Sequence, residues 1–390
     1  MRILVVHNFY QHPGGEDTVF NQEADLLKET ELVYPLTYQN YPGFRGLWQT
    51  CFSIWNIFGA FKLRKTIRKF RPDLIHFHNF HYALGPIGIR TARKAGIPVV
   101  ITLHNYRLIC PSATLFYNGQ LFTDSLHHSF PWKAIRLGVH SHSSIKTAWL
   151  AFTNWLHKKI GTWKIPARYI VLTPFAKDLF VHSSIGIPAN KFTVKPNAVQ
   201  APKKNHTSQI AKEPYFLFIG RLTEEKGIKN LVNAFMANGY PLHIAGDGPL
   251  RSLVESACTR AKNITYLGTL DAGAIYKAMA QCTALIFPSI WFEGMPLTML
   301  EAFSAGTAII ASNLGAMASM IQSGKNGLLF EPHSIENLNE QISYWVTMNE
   351  QEKNNLREQS KKTYEECYTA SQNLDQLLAI YQDILSKTTS

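Results

Sequence analysis

The chain has little of several things that would mark other classes of protein. It has no uninterrupted apolar run of the ~18 residues that a membrane-crossing helix needs. Its opening run, Ile3-Leu4-Val5-Val6, is too short for a secretory core and reads as a first β-strand. The five cysteines (Cys51, Cys110, Cys258, Cys282, Cys367) are odd in number and show no CxxC spacing. That argues against a disulfide framework or a zinc site and fits a reducing cytoplasm. Acidic residues are scarce in the first half: residues 1–200 carry 23 Lys/Arg against 9 Asp/Glu, whereas 201–390 carry 16 against 18. A basic half beside a near-neutral one suits an anionic neighbour such as a membrane surface or a lipid pyrophosphate, with a solvated basic face as the plainer alternative. No zinc finger or aromatic-basic RNA motif accompanies that charge, so nucleic acid is not an expected partner.

What is present is apolar and periodic. With 46% hydrophobic residues in 390, the chain can bury large cores and is too long for one ordinary domain. Short β-branched runs alternate with amphipathic stretches, the pattern of parallel sheets flanked by helices. In the first half the runs Ile3–His7, Leu74–His78, Val99–Leu103 and Tyr169–Leu172 are expected as strands. The pattern restarts with Tyr215–Ile219, Leu242–Ala245, Ile264–Leu267, Ala284–Phe287 and Ala308–Ala311. Between the halves the polar, Pro-containing stretch Val199–Gln209 reads as a linker. Two doubly wound domains so joined are expected to face each other across a cleft at the carboxyl ends of their strands. The expected limits are 1–198, 199–370 and a terminal segment, 371–390, packing back on the first domain.

Four segments carry candidate chemistry. In Gly220-Arg221-Leu222-Thr223-Glu224-Glu225-Lys226-Gly227, a strand end meets a cationic loop where Arg221 and Lys226 can hold phosphate oxygens. In Glu293-Gly294-Met295-Pro296-Leu297-Thr298-Met299-Leu300-Glu301, Pro296 suits the first turn of a helix, with Glu293 ahead of it and Glu301 inside it. Free amides at that helix start suit a phosphate, so the two carboxylates could flank a nucleotide sugar. Gly246 and Gly248 would allow close backbone approach, although a tight strand-to-helix turn explains them equally well. In the first half, Gly14-Gly15 opens a helix and His104 ends a strand beside the expected cleft. His76, His78 and His81 cluster locally, but no nearby Cys or acidic residue completes a metal site.

Taken in order, Gly220-Arg221…Lys226-Gly227, Ala245-Gly246-Asp247-Gly248, Pro288-Ser289 and the Glu-x7-Glu pair Glu293/Glu301 resemble the group 1, family 4 glycosyltransferases, and the Gly14-Gly15-Glu16 start, the Asp73–His76 strand and the Thr102–Arg107 run resemble their bacterial surface-polysaccharide type. The resemblance implies the α/β GT-B fold: two Rossmann-like domains, the second binding the donor. It implies retaining, metal-independent transfer of a hexose-type sugar from a UDP- or GDP-sugar, which is substrate and not cofactor. By motif match, Arg221 and Lys226 would hold the diphosphate, Glu301 the ribose and Glu293 the donor sugar. Gly15 would lie near the phosphate, His104 beside the sugar, and Gly246, Gly294, Met295, Pro296 and Leu297 around the donor. Relatives often carry a Cys pair where this chain has Leu121–His128, so the acceptor side has diverged. A glycan or a lipid-linked acceptor both fit. An epimerase or sugar phosphorylase on the same fold, and a non-catalytic glycan- or nucleic-acid-binding protein, stand as alternatives.

One segment falls outside those motifs. Trp48, Phe52, Trp55, Phe58 and Phe61 run into Lys62, Arg64, Lys65, Arg68, Lys69 and Arg71. Such a stripe suits peripheral docking on an anionic leaflet at the cytoplasmic face. It suits packing of the aromatics against a sheet equally well.

Overall fold

The computed structural model describes residues 1–11, 14–201 and 213–387, and within it the chain divides into two compact units. The first comprises residues 1–115, 122–197 and the terminal segment from Ala370. Its strands are β1 (Arg2–Phe9), β2 (Leu32–Gln39), β3 (Leu74–Phe77) and β4 (Val99–Leu103). A short hairpin, β5 (Phe116–Tyr117) and β6 (Gln120–Leu121), interrupts the series before β7 (Arg168–Val171) and β8 (Phe192–Val194). The sheet is parallel in the order β2-β1-β3-β4-β7-β8, so its direction of winding reverses between β1 and β3. Helices α1 (Gly15–Lys28), α2 (Gly43–Phe52), α3 (Ile57–Phe70), α4 (Ile87–Lys94), α5 (Trp132–Leu137), α6 (Ser144–Lys159) and α7 (Pro174–His182) surround it.

The second unit holds β9 (Phe216–Ile219), β10 (Leu242–Ala245), β11 (Ile264–Gly268), β12 (Ala284–Phe287), β13 (Ile309–Ser312) and β14 (Gly327–Phe330), in the order β11-β10-β9-β12-β13-β14. The β5–β6 hairpin also groups with this unit. Its Asn118-Gly119 tip, with φ of 47° and 76°, has the two positive values that a type I′ turn needs. Helices α8 (Ile228–Asn238), α9 (Arg251–Arg260), α10 (Ala272–Gln281), α11 (Leu297–Ser304), α12 (Gly315–Met320), α13 (Ile335–Thr347) and α14 (Glu350–Cys367) pack around the sheet. Phe216, Phe218, Leu231, Phe235, Ile286, Ile310 and Trp345 are among the buried residues of that core. Here the reversal lies between β9 and β12, where open α/β sheets bind ligands at their carboxyl ends.

The last helix, α15 (Ala370–Ser386), returns to the first unit, where Leu377, Tyr381 and Ile384 pack with Ile3, Val5, Phe20, Leu74 and Val100. The nine expected strands are present within a residue or two. Besides the short β5–β6 hairpin, three strands were not expected: β2, β8 and β14, all at edges of the two large sheets. Pro35 lies inside β2 and removes a donor, which an edge tolerates and which weakens the sequence signal. Pro296 is also shifted: it caps α11 from outside instead of opening its first turn. Of the expected linker Val199–Gln209, residues 202–209 lie outside the described residues, as do His12 and Pro13.

Candidate active site

Three loops leave the carboxyl ends of the neighbouring strands β10, β9 and β12, and backbone bonds fasten them together. Leu222 N donates to Asp247 O at 2.9 Å, Leu250 N to Leu222 O at 2.8 Å, and Ile290 N to Glu225 O at 2.9 Å. Gly246 has φ +135°, and a Cβ there would lie 1.9 Å from Gly220 O. Only glycine lets the β10 loop come this close to the β9 loop. Its first role is therefore to set the path of Gly220-Arg221.

These bonds bring Lys226 and Glu293 together, 67 residues apart in sequence. Lys226 Nζ donates to Glu293 Oε1 at 2.6 Å, and Ser289 Oγ donates to the same oxygen at 2.7 Å. Both side chains are largely buried. The ammonium lies 5.4 Å from the Phe287 ring centre and 5.6 Å from that of Trp291, so aromatic faces supplement the carboxylate. Beside the pair, Thr223 Oγ1 and Trp291 Nε1 are buried with no hydrogen-bond partner among the described residues. Such orphans cost about 1–3 kcal/mol each unless a ligand satisfies them. Neither residue was legible as a site residue in the sequence.

Arg221 stands apart from this pair. Its side chain is 67% exposed, with Nη2 3.7 Å from Glu225 Oε1, so its guanidinium is held loosely. Gly294 and half-buried Leu297 flank the buried Met295 and Pro296 in the approach to α11. Glu301 follows on that helix, and burial pushes its carboxyl above the usual range. A group that keeps its proton unusually well gains most when a neighbour donates hydrogen bonds to its charged form.

In the first unit, strand parity explains a second polar cluster. His7 on β1, His76 and the following His78 on β3, and Thr102 and the following His104 on β4 share one face of the sheet. His76 Nε2 meets Thr102 Oγ1 at 2.8 Å and its Nδ1 meets Tyr381 OH of α15 at 2.7 Å. His78 Nδ1 meets His104 Nε2 at 3.1 Å. Burial keeps these rings neutral: His76 and His78 lie well below the usual imidazole range and His104 is pushed down to about 3. His104 is thus a neutral hydrogen-bonding ring rather than a proton donor at neutral pH. His81 is not part of the row.

The sequence offered no acidic partner near these histidines, but the fold supplies Glu23 from α1, with Oε2 3.4 Å from His78 Nε2. Glu23, His76 and His78 have the spacing of a metal cluster. However, Glu23 is ion-paired with the fully buried Lys195, whose Nζ also donates to Asn373 Oδ1 at 3.0 Å. Burial pushes the Glu23 carboxyl up, yet the Lys195 ammonium beside it outweighs burial and the net shift is downward. A metal ion would have to displace Lys195, which already provides the positive charge. Gly15 opens α1, and Asp17 behind it is committed to Gly14 N at 3.0 Å and His7 Nε2 at 2.7 Å.

Residues 13–201 match the Glycosyltransferase Family 4 family and residues 200–363 match Glycosyl transferases group 1. The O-antigen chain mannosyltransferase C of Escherichia coli is 28% identical over 184 residues, 46% of this chain and 49% of that one. The chain therefore spans about half the length of that relative. An uncharacterized glycosyltransferase of Methanocaldococcus jannaschii is 28% identical across 94% of this chain and 95% of its own. Among solved structures, Anabaena HepE in complex with UDP superposes with a TM-score of 0.71 at 16% identity, covering 98% of this chain and 100% of that one. The two Rossmann-like parallel sheets are those of the GT-B class. Within that class, the chain belongs to the group 1, family 4 glycosyltransferases.

Proposed function

We propose that the chain transfers a hexose-type sugar, with retention of anomeric configuration, from a nucleoside diphosphate donor to a glycan or lipid-linked acceptor in polysaccharide or glycoconjugate assembly. The carrying observation is the buried Lys226–Glu293 pair at the carboxyl end of β9 and β12. A diphosphate leaving group needs a cation where negative charge develops, and a sugar hydroxyl needs an acceptor beside it. A pair in direct contact provides both at one point, the junction of sugar and phosphate. Lys226 neutralises the departing diphosphate, assisted by the mobile Arg221, and Glu293 holds the sugar. Glu301 takes the ribose diol, Gly246, Gly294, Met295, Pro296 and Leu297 shape the donor pocket, and Gly15 and the neutral His104 contact the donor. The UDP bound by HepE and the O-antigen role in the mannosyltransferase's name support the donor class and the setting.

Two substitutions test these roles. Glu293→Gln preserves the shape of the Lys226 site but not its charge. It should lower donor turnover ~100-fold or more, as loss of a charge-stabilising group does, with nucleotide affinity nearly unchanged. Glu301→Ala should weaken nucleotide binding itself by roughly tenfold or more, the worth of hydrogen bonds to a charged group. Equal loss of binding and turnover in both variants would contradict the division of labour. A cytoplasmic enzyme resting on the inner face of an anionic membrane completes the proposal, because the α2–α3 aromatics point to solvent.

A further inference from the structure

At its inner end the histidine row of the first unit meets a fixed charge. The fully buried Lys195 gives its Nζ to Glu23 Oε1, to Asn373 Oδ1 at 3.0 Å and to Pro196 O at 3.5 Å. An ammonium enclosed in this way needs an anion beside it, so Glu23 is a carboxylate. Its other oxygen, Oε2, is buried with no hydrogen-bond partner among the described residues, and so is His78 Nε2. These two orphans face each other at 3.4 Å. A carboxylate oxygen only accepts, and a bare ring nitrogen there would set one lone pair against another. The single proton of the neutral His78 ring therefore sits on Nε2.

His78 Nδ1 is then a lone pair, 3.1 Å from His104 Nε2. The ring planes are inclined by 21° and the centres are 5.3 Å apart, so the rings meet at their edges. His104 must supply the proton of that bond. Its ring is neutral too, which leaves Nδ1 bare. His104 is half-buried, and Nδ1 has no hydrogen-bond partner among the described residues. The neighbouring histidines do not interfere. His76 is engaged by Thr102 and Tyr381, and His7 by Asp17. We propose that Glu23 and His78 are positioning residues that lock His104 in one tautomer, with Nδ1 as a hydrogen-bond acceptor toward the donor sugar. A sugar hydroxyl or an acetamido N–H satisfies that nitrogen, whereas a uronate carboxylate facing it would be repelled. The sugar in this assignment rests on the glycosyltransferase reading, but the tautomer does not.

Long-range proton–nitrogen NMR of the full chain labelled with ¹⁵N-histidine tests the lock at pH 7.5, with the His104 signals identified by their loss in His104→Gln. His104 should show one tautomer, Nε2 protonated and Nδ1 bare. A protonated Nδ1 on His104 overturns the proposal. Two variants break the chain of bonds at different points. Glu23→Gln removes the charge, and His78→Phe keeps a ring of similar size and leaves the Glu23–Lys195 pair intact. In both, the two His104 nitrogen shifts should move toward each other as the tautomers mix. An unmixed His104 in a folded His78→Phe chain overturns the relay, whether or not Glu23→Gln folds. Calorimetry with UDP-glucose, GDP-mannose, UDP and GDP then reads the sugar contact. The sugar nucleotide that binds should lose about fivefold in His78→Phe, the worth of one neutral hydrogen bond, while its free nucleotide is unaffected. Equal affinities in wild type and variant overturn the sugar contact. Binding of none of the four tells against the transferase reading, and the tautomer still judges the relay.

Discussion

On the second turn of α11, Glu301 keeps its proton above the usual carboxylate range because the protein withdraws it from water. A ribose diol donates hydrogen bonds to the ionised form, so nucleotide binding must drive the proton off. Nucleotide affinity is then full above the raised Glu301 pKa and falls as pH drops through it. Glu301→Gln should give weaker binding with that pH dependence removed, measured by calorimetry between pH 4.5 and 8. A wild-type affinity flat over this range would contradict the ribose role. Glu301 and Glu293 were legible in the sequence because their eight-residue spacing brackets a helix start. The partners that define their chemistry were not. Thr223 and Trp291 carry no such spacing, and the β9 and β12 loops that hold them are joined by backbone bonds such as Ile290 N to Glu225 O. Glu23 left one sequence trace: it occupies the apolar face of α1 together with Val19, Phe20 and Leu27. Lys195 left none, because it follows β8, a three-residue edge strand without a periodic signature.

Among the elements, α15 is the one whose removal should reach farthest. It covers the first sheet with Leu377, Tyr381 and Ile384, and it contributes Tyr381 OH to His76 and Asn373 to Lys195. Its helical spacing was legible, whereas the polar bonds beneath it need the strand register of β1, β3 and β4. His76, His78 and His104 have folded pKa values below their unfolded ones. Below about pH 6.5 the unfolded chain therefore binds protons that the folded chain does not. Stability is full above that pH and is lost as pH falls, with a slope approaching about 4 kcal/mol per pH unit for three such groups. Urea unfolding at pH 7.5 and 5.5 checks this, and midpoints that coincide would contradict it. In the second unit, Gly246→Ala should lower the unfolding midpoint and weaken nucleotide binding together, since its Cβ would strike Gly220 O and displace the Arg221 loop. Loss of neither would show that the loop path is not fixed there.

Across the whole molecule, the excess of basic residues in the first half and the exposed aromatics of α2 and α3 coincide. The sequence left open whether those aromatics pack on the sheet. Gly59, Ala60, Leu63 and Ile67 are the buried residues of α3, which leaves Phe58 and Phe61 outward. Flotation with vesicles containing anionic lipid should retain the chain, and neutral vesicles or 0.5 M salt should release it. Binding indifferent to lipid charge would contradict a peripheral electrostatic contact. The central claim is a nucleoside diphosphate site built on Lys226 and Glu293. Its most direct test is thermal unfolding of the full chain and of Lys226→Ala with UDP, GDP, ADP and their sugars. One of these families should raise the wild-type midpoint in proportion to the logarithm of its concentration, and Lys226→Ala should lose most of that rise. No shift with any of them in a chain that folds normally would contradict the account.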